Sequence, residues 1–550
     1  MNYEGVTPDI AEGLLVLKER IKAAKIPPSK LDETINLATW NVRELGKKPR
    51  RKAALYYIAE ILSQFDLVGL VELRDNLSDL KAILGILGPD WRAIFSDAIP
   101  DAGGNRERVA YLYDRRAVVF NGLAAEAQPP RQKKGSEYLS DISWWRSPYL
   151  ASFRAGNFDF LCLTTHIRWG DNEEERIVEL KAVADLCVHC HMCRVECPAG
   201  VDIPRLMVEA KAAYVGENGL SASDRLLSRV DSLSQWGSLL APVANRAIQN
   251  RTVRWLMDKL LGIASARKLP RFAPRSYLRQ AARRRLTRPS RGNEPKVLYF
   301  VDTFANYHDP QLGRALVAVL QHNHVGVFVH PEQLASGMPM IAMGAVEPAR
   351  RIAAANIRLL AESIRQGYEI VATEPSAVMC LTHEYLGLVD DDDARLVAAH
   401  SSDACTYLWR MHAAGRLRLD MRPVHATLGY HLPCHVKALY GSSAGQNLLR
   451  LIPGLVVQAL ASGCSGMAGV YGLKRENFRA SLRAGRSLTT GLRDPSIQAG
   501  VTECAPCKMQ MEQSSHKPTL HPIKILALAY NLMPEIEAQL STPSGRWVTT

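Results

Sequence analysis

From Ile35 onward the chain alternates short apolar runs rich in β-formers with stretches of helical periodicity. INLATWNV and DLVGLVEL are two such runs, and RKAALYYIAEILSQF between them places its apolar residues one helical turn apart. VAYLYD, AVVFNGL and FDFLCLTTHI predict further strands. Ahead of them, residues 1–33 predict a helix ending at Ile26-Pro27-Pro28, because proline cannot continue one. Residues Ala125 to Ser147 are polar with a Pro pair and predict a loop. Helical periodicity takes over from Arg176 to Leu220, where a cysteine-dense string interrupts it. Residues 221–292 predict helices and then a basic, Pro-containing linker. Beyond Lys296 the runs VLYFVD, VGVFVH, EIVATE, ATLGYH, GLVVQAL and AGVTEC alternate with helices. That alternation predicts α/β architecture with parallel strands. Several of these strands are followed at once by Cys, His or Gly, where open α/β sheets bind ligands.

A chain of 550 residues exceeds a single core and predicts three or four domains. No run of eighteen apolar residues occurs, and the N-terminus carries acids where a secretory signal would be apolar. The expected location is therefore cytoplasmic, or peripheral on the inner face of a membrane. The formal net charge of +13 admits nucleic acid, an anionic membrane or an acidic partner. Much of the excess lies between Arg246 and Lys296, including Arg283, Arg284 and Arg285, with only Asp258 and Glu294 opposing it. A solvated linker or helix face is the preferred reading of this tract, and nucleic-acid binding is not expected. The amphipathic TVRWLMDKLLGI within it reads as a packed helix in preference to a bilayer contact.

The 11 cysteines fall in short C-x-x-C spacings, which argues for metal over disulfides. The string CVHCHMCRVECP runs C-x2-C-x2-C-x3-C-P from Cys187 to Pro198. A tight loop of this kind delivers thiolates from adjacent turns to one inorganic core. Zinc sites more often use two C-x-x-C pairs separated by a longer loop. Cys187, Cys190, Cys193 and Cys197 are accordingly the expected ligands of a [4Fe-4S] cluster. His189 and His191 read as outer-shell or surface residues. Cys434, Cys464, Cys504 and Cys507 lie at three predicted strand ends, and the last two form another C-x-x-C. Cys162, Cys380 and Cys405 are isolated on apolar elements and read as core.

From about Asp185 to about Pro534 the chain resembles the C-terminal half of FAD-linked oxidases and the iron–sulfur subunits of glycolate oxidase and anaerobic glycerol-3-phosphate dehydrogenase. The strings that carry the resemblance include CPAGVDIPRLMVEAKAAYV, YHLPCH, SGCSGMAGVYGLKRENF, TECAPCKMQMEQ and LHPIKILALAY. It implies a ferredoxin-type segment at 181–220, a helical and basic linker at 221–294, and two cysteine-rich halves at 295–420 and 421–550. It also implies a second iron–sulfur centre at Cys434, Cys464, Cys504 and Cys507. The family's paired cysteines read Cys464-Ser465-Gly466 here, so Ser465 would stand near that centre without ligating. In the first half the corresponding positions read Ala335-Ser336-Gly337 and Glu374-Pro375-Ser376-Ala377, so that half would be structural.

Residues 34–180 resemble the endonuclease/exonuclease/phosphatase superfamily through TWNVREL, FDLVGLVELRD, GNRERVAYLYD, RSPYLASFRAG and LTTHIRWG. The resemblance implies a partial α/β sandwich in which Asn41 and Glu72 would bind Mg²⁺, Arg146 or Arg108 would contact phosphate, and His166 falls in a family motif. The later acidic motifs of the superfamily are missing. Asp171-Asn172 comes too early, and Leu180–Leu186 leads straight into Cys187. Neither Mg²⁺ binding nor hydrolysis is therefore expected.

The expected fold is multidomain α/β. The expected function is an iron–sulfur component of a flavin-linked dehydrogenase for a 2-hydroxy acid such as lactate or glycolate, or for glycerol 3-phosphate. FAD would reside on a partner flavoprotein, with a quinone or other acceptor downstream. The alternatives are a Mg²⁺-dependent phosphodiesterase or nuclease-like protein with an accessory cluster, and a membrane-docking scaffold.

Overall fold

The computed structural model describes residues 1–27, 34–98, 106–127, 133–134, 137–138, 147–156, 158–166, 180–181, 183–197, 201–290, 292, 294–460 and 463–549. Contacts divide the chain into two compact units, Met1–Leu180 with Glu196–Val201, and Lys181–Val195 with Asp202–Thr550.

In the first unit Thr7-Pro8 opens a helix, Pro8–Ala23, that stops short of the prolines. Lys25 turns into the left-handed region (φ 52°), and a residue before proline is pushed out of the helical conformation. Nine strands follow: β1 Leu37–Leu45, β2 Leu67–Leu73, β3 Trp91–Phe95, β4 Arg108–Asp114, β5 Val119–Glu126, β6 Lys133–Lys134, β7 Glu137–Tyr138, β8 Tyr149–Ala155 and β9 Phe158–Thr164. The helix Lys52–Leu62 connects β1 to its parallel neighbour β2, and the first sheet runs β1-β2-β4-β3. A second, antiparallel sheet runs β5-β8-β9. The two sheets pack face to face through rings: Tyr111 and Phe153 meet edge-on at 5.5 Å, and the Tyr111 hydroxyl donates to the Tyr149 carbonyl at 2.9 Å. Ala59, Leu62, Ile83 and Leu87 bring helices onto the opposite face of the first sheet. Leu161 on β9, the outer strand of the smaller sheet, is 55% exposed.

The second unit carries two parallel sheets. The first contains β10 Lys296–Phe300, β11 Gly326–Phe328, β12 Tyr368–Ala372 and β13 Ser401–Asp403 in the order β11-β10-β12-β13. The second contains β14 Ala426–Tyr430, β15 Leu455–Ala459, β16 Ala499–Val501 and β17 Thr519–Leu520 in the order β15-β14-β16-β17. The two halves thus repeat one topology. A shared core joins them, with Leu312, Leu316 and Leu320 packed among the same buried residues as Ile523, Leu526 and Ala527.

The basic tract meets the solvated-face expectation only in part. Residues 221–294 form the helices Ala222–Ser228, Val230–Leu239, Ala241–Ala247, Arg251–Leu261 and Tyr277–Arg283. Arg283, Arg284 and Arg285 are exposed, but Arg254, Arg267 and Lys268 are buried. Burying a cation is costly unless it is fully hydrogen-bonded. Here carbonyls supply the partners: the Arg254 guanidinium donates to Ser265 O at 2.9 Å and the Lys268 ammonium to Glu512 O at 2.8 Å. The tract is cationic because it must satisfy buried carbonyls as well as face water.

Candidate iron–sulfur centres

The first thiol set is assembled by a loop and short helix. Cys187 follows Leu186 in a turn, and Cys193 lies in the helix Met192–Glu196. His189 and His191 adopt left-handed backbone (φ 56° and 61°), which folds the loop tightly enough for Cys187, Cys190 and Cys193 to sense one another. Burial pushes the Cys193 thiol up to about 11, and neighbouring Cys190 and Cys187 add to the shift. Burial raises Cys187 too, against the His189 backbone N–H and the cation of Lys211. Lys211 is itself buried, and its ammonium donates to Cys187 O at 3.2 Å and Ala342 O at 3.0 Å. Burial lowers its own pKa. A cation fixed beside crowded thiols is suited to offset the negative charge of a thiolate-bound metal. A cavity of about 160 Å³ runs past Cys187, His189, Lys211, Asp224 and Lys474. Cys197, the fourth thiol of the motif, lies in the short segment Glu196–Val201 of the first unit and is half-buried.

The second set sits at the C-terminal ends of β14, β15 and β16. Cys434 is the first residue of the helix Cys434–Tyr440, and Cys504 caps the helix Ala505–Ser515, which places Cys507 in its first turn. Helix N-termini favour a thiolate. The Cys504–Cys507 hydrogen bond is the largest influence on both: it pulls Cys507 well down and pushes Cys504 well up. His431 and Ser465 also lower Cys507, and the Ser465 hydroxyl donates to its sulfur at 3.2 Å. Ser465 therefore contacts the thiol set through a hydrogen bond. Cys464 is exposed, and its sulfur accepts from the Gly466 N–H at 3.2 Å. Gly466 is required there: it has φ 85°, and a Cβ would lie 2.0 Å from Ser481 O. Burial raises Cys434 well above its usual value, and Cys507, Cys464 and Cys190 contribute further.

That last contribution joins the two sets. Cys190 acts on both Cys434 and Cys464, and the His435 ring beside Cys434 bonds to His189 O at 2.9 Å. Soft, closely grouped sulfurs fit iron–sulfur chemistry, and burial raises several of these thiols, which metal binding would deprotonate. Cys380 and Cys405 are fully buried apart from both sets, and Cys162 is half-buried in β9.

Of the outer-shell and surface readings of His189 and His191, burial removes the second. They are 4% and 1% exposed, so neither is a surface residue. Both face Glu384, a residue that spacing could not link to them.

The first unit brings Asn41, Glu72 and His166 together. The Asn41 amide donates to Glu72 Oε1 at 2.7 Å, His166 Nε2 lies 3.3 Å from that oxygen, and His166 Nδ1 lies 3.0 Å from Glu107. Glu107 was not singled out from sequence. Register shifts in β1 after Asn41 and in β2 before Leu73, with Glu72 at φ 65°, re-aim these side chains. Arg108 donates to Ser96 O at 2.9 Å, while Arg146, Asp171 and Asn172 lie outside the described residues.

Comparison with known proteins supports the cysteine-rich region and offers a partial match to a nuclease. A cysteine-rich domain model matches residues 428–512. Lactate utilization protein A of Exiguobacterium sp. is 27% identical over 43% of this chain and 96% of its own length. A deoxyribonuclease of Thioalkalivibrio sp. is 30% identical over 28% of this chain but only 41% of its own length. A subunit of the anaerobic glycerol-3-phosphate dehydrogenase of Escherichia coli K12 is 32% identical over 60% of this chain and 83% of its own length. On that coverage, the chain belongs to the family of that anaerobic glycerol-3-phosphate dehydrogenase subunit.

Proposed function

We propose that the chain is the iron–sulfur electron-transfer subunit of a flavin-linked dehydrogenase, taking electrons from a flavoprotein partner and passing them to a quinone or another acceptor. The substrate class is glycerol 3-phosphate or a 2-hydroxy acid such as lactate or glycolate; the relatives' names carry glycerol 3-phosphate, 2-hydroxyglutarate and lactate. The observation that carries the reading is the adjacency of the two thiol sets, where His435, next to Cys434, bonds at 2.9 Å to the carbonyl of His189, next to Cys190. The motif spacing supports Cys187, Cys190, Cys193 and Cys197 as the holders of a [4Fe-4S] cluster. The geometry at the helix starts supports Cys434, Cys464, Cys504 and Cys507 as the holders of a second. Such clusters, when bound, store and release single electrons. The chain's own part is to crowd the thiols, place Lys211 beside them and cover Cys507 with His431 and Ser465. FAD belongs to the partner.

Iron and acid-labile sulfide analysis with EPR on anaerobically purified protein tests the reading. About eight irons per chain are expected for two clusters, at about four each. About four irons would remove the second centre, and none would overturn the proposal.

The location is cytoplasmic, with peripheral contact at the inner membrane face. No helix among the described residues is long and apolar enough to cross a membrane. The helix Arg251–Leu261 packs Met257 and Leu261 inward and leaves Trp255, Leu256 and Leu260 exposed beside Arg251 and Lys259, while Arg254 is buried. Trp236, Leu239, Leu240 and Val243 are exposed as well. This arrangement suits an anionic bilayer. The protein should co-float with vesicles containing phosphatidylglycerol, and the pair Trp255→Glu with Leu260→Glu should weaken binding about 100-fold, the worth of two buried large side chains. Unchanged flotation would exclude this surface.

A second reading, a Mg²⁺-dependent phosphodiesterase with an accessory cluster, draws on the convergence of Asn41, Glu72 and His166. Against it stands the sequence, which lacks the superfamily's later acidic motifs and so part of the metal shell and the general base. Hydrolysis is not proposed as the function of this chain.

A further inference from the structure

Within the second unit, three side chains outside both thiol sets aim their donor atoms at one point. His191 Nε2 lies 2.8 Å from Glu384 Oε1, His189 Nε2 lies 3.3 Å from the same oxygen, and the two nitrogens are 3.2 Å apart. These separations match the edges of a coordination shell whose ligands stand about 2.0–2.2 Å from a central ion. An ion at that distance from all three atoms would sit just off the plane they define.

Hydrogen bonding does not account for the arrangement. Glu384 Oε1 has no aligned donor despite both approaches, and His191 Nδ1 on the far side of its ring has no partner. Two imidazole nitrogens directed at each other can share only one proton, which leaves the carboxylate oxygen poorly served. The backbone is unusual at both histidines, and Glu384, itself in ordinary helical conformation, closes an irregular turn. His189 and His191 both have positive φ, and Glu384 ends a π-helical turn, Cys380–Glu384. Non-glycine residues in left-handed backbone and π-turns both concentrate at functional sites.

We infer that His189, His191 and Glu384 form a binding site for one divalent transition-metal ion of zinc type, separate from the cysteine centres. Two imidazoles and a carboxylate are a ligand set that zinc accepts. A fourth position would fall to the second Glu384 oxygen or to a water. The site is closed: His191 is 1% exposed, and the rings of His383 and His435 pack against His191 at 5.2 and 5.8 Å. That closure assigns a structural role, in which the ion ties the loop carrying Cys187, Cys190 and Cys193 to the half of the fold whose own cluster cysteines are replaced. His435 reinforces the tie, because its Nε2 bonds to His189 O at 2.9 Å while its Nδ1 lies 3.0 Å from the Ser376 hydroxyl of that half.

The test is zinc titration of the anaerobically prepared full chain, followed by calorimetry and by elemental analysis alongside iron and sulfide. One zinc ion per chain should bind beyond the iron content. Glu384→Gln should weaken that zinc at least about 100-fold, since it removes a direct ligand and even outer partners are worth 10–100-fold. His191→Asn, which tolerates left-handed backbone, should do the same, with each variant's fold checked by circular dichroism. Zinc seated on the cysteines would be indifferent to both substitutions. Binding of equal strength in the wild type and both variants, or no zinc beyond the thiols, overturns the site whatever the iron content proves to be.

Discussion

Replacing Cys507 with alanine should empty the second thiol set and leave the first loaded, so that the iron and labile sulfide of anaerobically prepared protein fall by about half, from about eight to about four per chain. Cys507 is the thiol best prepared to ionise. It lies in the first turn of the helix Ala505–Ser515, accepts from the Ser465 hydroxyl at 3.2 Å, and is lowered chiefly by its hydrogen bond with Cys504 and further by His431. Alanine removes the thiolate on which these groups converge and leaves the second set one ligand short. Cys405→Ala is the control. That thiol is equally buried but lies in the hydrophobic core beside Leu408, so its loss should leave the iron unchanged. Iron analysis with EPR reads both variants. A Cys507→Ala protein with full iron would mean that the second set holds no cluster.

Local spacing made part of this chemistry legible. Cys187, Cys190 and Cys193 lie within one loop, so their meeting needs no knowledge of the fold. Cys434, Cys464, Cys504 and Cys507 are distant in sequence, yet each follows a run of β-formers, and parallel strands bring such ends together. Asn41, Glu72 and His166 were singled out by the resemblance of their motifs, and the sandwich joins them. What spacing could not give is a partner from another element. Glu384 ends the helical turn Cys380–Glu384, and nothing in HEYLGLVD ties it to His189 or His191. The left-handed backbone of those histidines is also invisible from composition, since neither is glycine. The basic tract misled in part, for a related reason. Charge alone predicts solvent, and only tertiary contacts reveal that the acceptors awaiting Arg267 are Gly472 O and Ser481 Oγ.

Those acceptors give Arg267 a disproportionate effect. It is fully buried, and burial pushes its guanidinium down to about 10, so its charge is held at a real cost. The compensation is a fork of bonds: Nε donates to Gly472 O at 2.8 Å, Nη2 to Ser481 Oγ at 2.8 Å, and Nη1 to Gln510 Oε1. Each partner borders the second thiol set. Ser481 O is the atom that excludes a Cβ from Gly466, and Gln510 lies one turn beyond Cys507 on the same helix. Arg267→Met would fill much of the same volume but leave three buried acceptors unserved. Bonds from a charged donor are worth about 1.5–3 kcal/mol each, and part of that is returned when the buried charge disappears, so a net loss of about 3 kcal/mol is expected. In a thermal melt this should appear as a fall of about 5 °C or more. Arg267→Lys should restore little of it, because an ammonium cannot present the planar fork that reaches all three partners. Arg284→Met, in the same basic tract but exposed, should leave the melting temperature where it is. If charge alone mattered in this tract, Arg267→Met and Arg284→Met would behave alike. If the fork fastens the Cys464 loop to the Cys507 helix, Arg267→Met should also lose iron from the second set faster on exposure to a chelator.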